Sequence, residues 1–180
     1  MKKNVLVIAI DPGTGKASPT GLTVFDPYTK EIYLTENLEP THQSLQHRLR
    51  DIADAFSERM ETFDTELAEY RLLVCIESFI IKGKSGETLQ RLIGALMSRL
   101  PYRADMIEVQ NTTVKLRVGG HGHADKELVA IGVRDWFSDN LASFELTNKL
   151  LSCKEYDILD SLAIGVAGWL KAQELPKRKK

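Results

Sequence analysis

The sequence predicts an α/β domain in which a mixed five-stranded sheet is flanked by helices. Two continuous apolar runs, residues 5–9 and 72–76, have the length and composition of strands that are covered on both faces. Several longer segments repeat apolar residues every three or four positions, which is typical of amphipathic helices. Strand and helix patterns alternate in the second half of the chain, and this alternation favours a sheet with helices packed on it.

The first half of the chain supplies three predicted strands and one helix. A strand over residues 4–10 is followed by short strands over 21–25 and 32–35. Residues 26–30 between the two short strands are turn formers, so the two strands are expected to form an antiparallel hairpin. Apolar residues at helical spacing then predict a helix over residues 45–63.

The second half continues with two more strands and three helices. Residues 72–76 form the fourth predicted strand, and apolar spacing predicts a helix over residues 89–100. The fifth strand is expected at residues 106–109, a third helix near Asp125, and a last helix over residues 156–171. The predicted sheet therefore has three antiparallel strands and two parallel ones.

Length and charge bound the possible functions. A chain of 180 residues with 43% hydrophobic residues can bury one core, so we expect a single domain over residues 1–172 and a basic tail over residues 173–180. The formal net charge is −1, with 24 Lys plus Arg against 25 Asp plus Glu. Bulk basicity is therefore excluded as the means of attracting a polyanion, and any nucleic-acid surface has to be local.

Two features that the sequence lacks narrow the range of protein classes to which it can belong. No run approaches the roughly 18 apolar residues of a membrane span, and the start of the chain lacks the pattern of a cleavable signal, so we expect a cytoplasmic protein without membrane contact. Cys75 and Cys153 have no partner at zinc-site spacing. We expect both to be reduced and mostly buried.

Four acidic residues stand where catalytic carboxylates are expected. Asp11 and Glu77 each follow a buried strand, where side chains leave the apolar layers and face a crevice. Asp157 and Asp160 are three residues apart on one face of the last helix. Taken singly, each also suits a turn, a cap or a surface charge. Together they would repel strongly unless cations are bound, and an all-oxygen set favours two Mg²⁺ ions, or Mn²⁺, for phosphodiester hydrolysis.

Basic residues near the predicted catalytic edge are candidates for binding DNA phosphates, although scattered surface charges are an alternative interpretation. The candidates are Lys82, Lys84, Arg91, Lys115, Arg117 and Lys126. The glycine-rich segment at residues 119–123 contains His121 and His123, which we expect to lie in a flexible loop without a chemical role. Trp136 and Phe137 fall in a helical pattern and are expected to pack in the core or at a dimer interface.

Four segments in the right order resemble the RuvC family of Holliday junction resolvases. Residues 7–14 (VIAIDPGT) are similar to its opening strand, and residues 74–77 (VCIE) to the strand with its second catalytic acid. Residues 122–126 (GHADK) resemble an element whose lysine faces DNA phosphate near the site. Residues 157–164 (DILDSLAI) are similar to its closing helix. This resemblance implies an RNase H-like fold.

The resemblance also implies a function and site residues. It implies a Mg²⁺- or Mn²⁺-dependent endonuclease, acting as a homodimer that cleaves four-way DNA junctions symmetrically and leaves ligatable ends. Asp11, Glu77, Asp157 and Asp160 match the family's catalytic acids, and Lys126 matches its basic residue near the site. One open alternative is another RNase H-like nuclease that acts on flaps, RNA or packaging DNA. Less favoured are an actin-like or sugar-kinase ATPase, which needs about twice this length, and an inactive interaction module.

Overall fold

The computed structural model describes residues 4–66, 69–78 and 83–175, with no description of the side chains of 64–66 and 83–85. The strands in this part of the chain are β1 (Val5–Asp11), β2 (Thr20–Phe25), β3 (Ile32–Leu38), β4 (Arg71–Glu77) and β5 (Asp105–Val109). The helices are α1 (Leu45–Glu66), α2 (Gly83–Met97), α3 (Asn111–Arg117), α4 (Lys126–Trp136), α5 (Leu141–Ser152) and α6 (Tyr156–Glu174).

The strands form one mixed sheet in the order β3-β2-β1-β4-β5. β1 pairs with β2, and β2 with β3, in antiparallel fashion, while β1 pairs with β4, and β4 with β5, in parallel. The predicted five-stranded mixed sheet is therefore confirmed. The turn between β2 and β3 also forms as predicted, because Asp26 accepts hydrogen bonds from the backbone N–H groups of Tyr28 and Thr29.

Both faces of the central strands are covered, which explains why β1 is apolar from Val5 to Ile10 and β4 from Leu72 to Ile76. Val5, Val7 and Cys75 point into a core built with α3, α4, α5 and α6. Their neighbours Leu6 and Val74 point to the other face, where the core is completed by α1 and α2. Because successive side chains of a strand face opposite sides, a strand between two helical layers needs apolar residues at every position.

Helix α6 lies close to the sheet because small residues form its buried face. A Cβ atom added at Gly165 would stand 2.8 Å from the Cβ of Ala9, and one added at Gly168 would stand 2.4 Å from the Sγ of Cys75. Phe137 and the half-buried Trp136 complete this layer by packing edge-on against Phe25. Their predicted packing role in the core is thus confirmed.

The structure differs from the sequence prediction in several elements. α3 and α5 were not predicted, since α3 buries only Val114 and α5 buries Ser143, Thr147 and Leu150, so neither carries a strong apolar stripe. α2 begins at Gly83, six residues before the start that the apolar spacing predicted. α6 extends to Glu174, two residues past the predicted domain boundary, and residues 176–180 of the predicted tail lie outside the described part.

The two cysteines have different environments. Cys75 is fully buried in β4, as expected, and burial raises the pKa of its thiol to about 12. Cys153 is exposed where α5 ends, so the expectation that it is mostly buried is wrong. Burial is usual for a free cysteine, but here the helix ends and the chain turns through Lys154 at a φ of 58°.

The close approach of α6 to β4 makes a stability prediction. We expect Gly168→Ala to lower the free energy of unfolding by about 1–3 kcal/mol, because the new methyl group overpacks against Cys75. Gly94→Ala is the matched control in α2, where an added Cβ meets nothing within 4 Å. It should raise stability by roughly 0.5–1 kcal/mol through helix propensity. Urea unfolding of both variants measures the two effects, and equal stabilities would contradict this packing.

Candidate active site

The carboxyl ends of β1 and β4 bring two acidic residues to the same edge of the sheet. Ile10 of β1 is the register partner of Ile76 of β4 in the parallel pair. Asp11 and Glu77 each follow one residue later, so the two side chains leave neighbouring strands side by side. Both are only partly buried, unlike the five residues that precede each of them.

The first turns of α6 bring Asp157 and Asp160 to the same place, and Gly21 permits the approach. Gly21 of β2 is the register partner of Asp11. A Cβ atom at Gly21 would stand 2.8 Å from the carbonyl oxygen of Asp157 and 3.1 Å from the Cβ of Ser161. Any side chain at this position would push the start of α6 away from the strand end. Glycine is therefore required here by the close contact between helix and strand.

A buried chain of hydroxyl groups fixes α6 against the hairpin. The Ser161 hydroxyl donates to the carbonyl oxygen of Ile158 at 2.8 Å, so it accepts the hydrogen bond from the Thr23 hydroxyl at 2.6 Å. Thr23 in turn accepts from Thr35 of β3 at 3.1 Å. These bonds satisfy polar groups inside the core and set the rotation of α6. That rotation turns Asp157 and Asp160 toward the strand ends.

The four predicted acids line a single cleft of about 340 Å³. Asp11 enters it from β1, Glu77 from β4, and Asp157 and Asp160 from α6. Two predicted basic residues, Lys115 and Lys126, line the same cleft. Residues from distant parts of the chain thus converge as the sequence analysis expected.

Burial and mutual repulsion make the acids costly to ionise. The pKa of Asp11 is raised from an ordinary value of 3.8 to about 7, mainly because burial removes water and then because Glu77 and Asp160 are near. Burial also raises the pKa of Glu77, and a hydrogen bond from Asn111 offsets part of this increase. Burial raises the pKa of Asp160 as well, against the opposing influence of Lys126.

Lys126 forms an ion pair with one of these acids. Its Nζ lies 2.8 Å from Oδ2 of Asp160. This hydrogen bond, together with the negative charges of Asp157 and Asp11, raises the pKa of Lys126. Lys126 is the first residue of α4, where the Asp125 side chain caps the helix by accepting a hydrogen bond from the backbone N–H of Leu128 at 2.9 Å. The cap therefore fixes the backbone from which Lys126 reaches the cleft.

Asn111 is a site residue that the sequence analysis missed. Its Nδ2 donates to Oε1 of Glu77 at 3.3 Å, and it lines the cleft. Asn111 begins α3 directly after β5, at the same sheet edge as Asp11 and Glu77. The position of a polar amide two residues after a predicted strand was the available signal. This signal is weak because asparagine is common in ordinary turns.

Two of the other predicted basic residues, Arg91 and Arg117, do not line this cleft. Arg117 forms a two-armed ion pair with Glu174 near the end of α6, and Arg91 is exposed on α2. Lys82 lies outside the described residues, and so does the side chain of Lys84. His121 and His123 are exposed and do not line the cleft, and the loop that carries them turns at Gly120, whose φ is 84°.

The donor set of the cleft suits hard divalent cations, because it consists of carboxylates with no histidine or cysteine among them. In this conformation, however, no group of three or more His, Cys, Asp or Glu side chains among the described residues is arranged to hold one metal ion jointly. One reason is that Asp160 is turned toward Lys126.

The described residues also include no helix that is both long and apolar enough to cross a membrane.

No protein-family model matches this sequence, and no curated protein does. Solved structures do match. RuvC from Thermus thermophilus has a TM-score of 0.63 and 20% identity, with coverage of 94% of this chain and 96% of that chain. The same organism's RuvC in complex with a Holliday junction substrate has a TM-score of 0.63 and 18% identity, with coverage of 94% and 95%. The chain therefore has the RNase H-like fold of RuvC, as the sequence resemblance implied.

The raised pKa of Asp11 predicts how the stability of the chelator-treated protein depends on pH. The unfolded chain ionises Asp11 near pH 4, whereas the folded chain holds this proton until about pH 7. Stability should therefore fall as pH rises from about 4 to about 7, by a few kcal/mol for this group. Asp11→Asn removes that loss. Urea unfolding across this range should show the variant gaining on the wild type, whereas a constant difference would contradict the burial of this charge.

Proposed function

We propose that this chain is an endodeoxyribonuclease that resolves four-way (Holliday) DNA junctions by hydrolysing phosphodiester bonds with two divalent cations. The observation that carries the proposal is the convergence of Asp11, Glu77, Asp157 and Asp160 in one cleft beside Lys126. The fold adds support, since it is shared with a RuvC that was solved in complex with a Holliday junction substrate.

The four acids are the proposed ligands of Mg²⁺, for which Mn²⁺ is expected to substitute. The raised pKa values of Asp11, Glu77 and Asp160 mean that the ionised cluster is unfavourable without added positive charge. Two cations bound there would polarise the attacking water and neutralise charge on the leaving oxygen. Joint coordination requires Asp160 to turn away from Lys126, which is a side-chain rotation and leaves the backbone of α6 in place.

The other residues of the cleft have proposed roles that follow from their contacts. Asn111 holds the Glu77 carboxylate through its amide and so limits its rotation. The Lys126 side chain is 64% exposed and its ammonium lies at the carboxylates. It is placed to donate a hydrogen bond to an oxygen of the phosphate that is cleaved, and to balance charge there. Lys115, one helical turn after Asn111, would contact a neighbouring phosphate.

Junction resolution requires cuts on two strands, and we propose a homodimer that presents one site to each of them. A two-fold dimer matches a substrate whose arms are themselves related by two-fold symmetry. The overall charge of −1 means that the positive contacts with DNA have to be concentrated around the active-site cleft of each chain in the dimer. We expect the enzyme to act in the cytoplasm of a bacterial cell or a phage-infected host.

The substrate proposal is tested with a synthetic four-way junction beside linear duplex, flap and RNA substrates of the same sequence. Cleavage of the junction in symmetry-related strands, dependent on Mg²⁺ and giving ends that ligase reseals, is the expected result. Preferential cleavage of the flap or the RNA would instead favour another RNase H-like nuclease. The absence of cleavage on every substrate with Mg²⁺ or Mn²⁺ would reject the nuclease proposal.

The catalytic acids are tested by isosteric substitution. We expect Asp11→Asn and Glu77→Gln to abolish Mg²⁺-dependent cleavage and to retain junction binding, because both remove a charged ligand and keep the shape of the side chain. Glu145→Gln changes an exposed residue of α5 and is the matched control, with wild-type cleavage expected. Undiminished cleavage by both cleft variants would reject the assignment.

Asn111 is tested separately because its proposed action is through Glu77. Asn111→Ala should lower the cleavage rate by roughly 10–100-fold, the usual effect of losing a group that orients a metal ligand. The same variant should need more Mg²⁺ for half-maximal rate, which a purely structural role in α3 would not require. Asn111→Asp, which cannot donate and adds charge, should be at least as impaired. An unchanged Mg²⁺ dependence in both variants would contradict the role.

A further inference from the structure

A second cleft, of about 470 Å³, opens beside the candidate active site on the side of α1 and α2. It shares Asp11, Ser18 and Glu77 with the first cleft, so the strand ends form the boundary between the two. Its other walls are the loop at residues 12–14 and the side chains of Leu45, Arg48, Thr88 and Leu89. Among these further lining residues, Arg48 is the only one with a charge.

Arg48 has one polar atom that is left unsatisfied within the described part of the chain. Its Nε is buried and has no hydrogen-bond partner there. The acidic residue one turn later, Asp51, accepts hydrogen bonds instead from the backbone N–H groups of Thr41 and His42, which hold its pKa well below the usual range. A buried guanidinium N–H without a partner is unfavourable, and a rotation of Arg48 toward an anion in the cleft that it lines would satisfy it.

We propose that Arg48 binds a phosphate of the DNA strand next to the bond that is cleaved. This inference rests on the proposed nuclease function. A strand that places a phosphate at Asp11 has to leave the carboxylates on two sides. Lys115 and Lys126 line the first cleft, and Arg48 lines the second, so positive groups stand on both sides of the acids.

The chemistry of the second cleft fits a nucleotide backbone. A guanidinium is planar and offers parallel N–H donors that match two oxygens of a phosphate. Pro12, Leu45 and Leu89 give the cleft apolar walls, which suit the sugar between two phosphates. Asp11 and Glu77 would repel an anion at Arg48 unless their charges are balanced. The contribution of Arg48 is therefore expected to be greatest when divalent cations are present.

Salt dependence of junction binding distinguishes a phosphate contact from a structural arginine. In a Glu77→Gln background, which prevents cleavage, Arg48→Gln should weaken junction binding and reduce the slope of log K against log[salt] by about 0.7–1. Arg48→Lys should keep the slope, because it keeps the charge, but should cleave more slowly in the wild-type background. Arg50→Gln is the matched control, since Arg50 is exposed on the same helix and does not line the cleft. It should leave the slope unchanged.

A second variant keeps the test valid if Arg48→Gln fails to fold. Leu45 is 36% exposed at the mouth of the same cleft and lies one turn before Arg48. Leu45→Glu therefore adds a negative charge beside Arg48 and leaves Arg48 itself unsubstituted. It should weaken junction binding and slow cleavage, whereas Leu141→Glu on the exposed surface of α5 should not. If the wild type cleaves junctions but Arg48→Gln and Leu45→Glu bind and cleave as it does, the Arg48 contact is rejected. If the wild type neither binds nor cleaves junctions, the proposed function itself fails.

Discussion

The confinement of four carboxylates at one edge of an apolar sheet is the constraint on which the rest of this structure depends. Burial raises the pKa of Asp11, Glu77 and Asp160, and each charge makes its neighbours harder to ionise. Among the described residues, Lys126 at Asp160 and the amide of Asn111 at Glu77 offset part of this repulsion. The site is therefore a destabilising element that the rest of the fold has to hold in place.

The fold holds the acids through the contact between α6 and the sheet. Small residues at Gly21, Gly165 and Gly168 let the helix approach β1, β2 and β4 closely. The hydroxyl chain from Thr35 to Ser161 then fixes the helix rotation inside the core. Because both devices act within about three turns of Asp157 and Asp160, packing of the core and geometry of the site are coupled. A change that loosens α6 is expected to disturb the cleft before it unfolds the domain.

Much of this arrangement was predictable from the sequence, because strong local patterns carried it. The apolar runs of β1 and β4 identified the central strands, and their ends identified Asp11 and Glu77. The spacing of Asp157 and Asp160 on a predicted helix identified the third side of the cleft. These features depend on strand burial and helical periodicity, which a single sequence displays directly.

Other features depend on tertiary contacts that a sequence pattern does not display. Asn111 gained its role only because α3 follows β5 at the correct sheet edge. Arg117 was a plausible phosphate ligand until the extension of α6 placed Glu174 beside it. Arg48 lies in the helix predicted over residues 45–63, and its significance follows only from the commitment of Asp51 to the preceding loop. Weak periodicity likewise concealed α3 and α5.

The central claim is that the carboxylate cluster is completed by divalent cations, and calorimetric titration of Mn²⁺ into the DNA-free protein tests it most directly. Saturable binding is expected, with release of protons to the buffer near neutral pH, because a cation at the Asp11 carboxylate displaces the proton that this group holds. Asp11→Asn and Asp157→Asn are each expected to weaken this binding strongly. Saturable binding that both variants leave unchanged, or no binding to the wild type, would contradict the account.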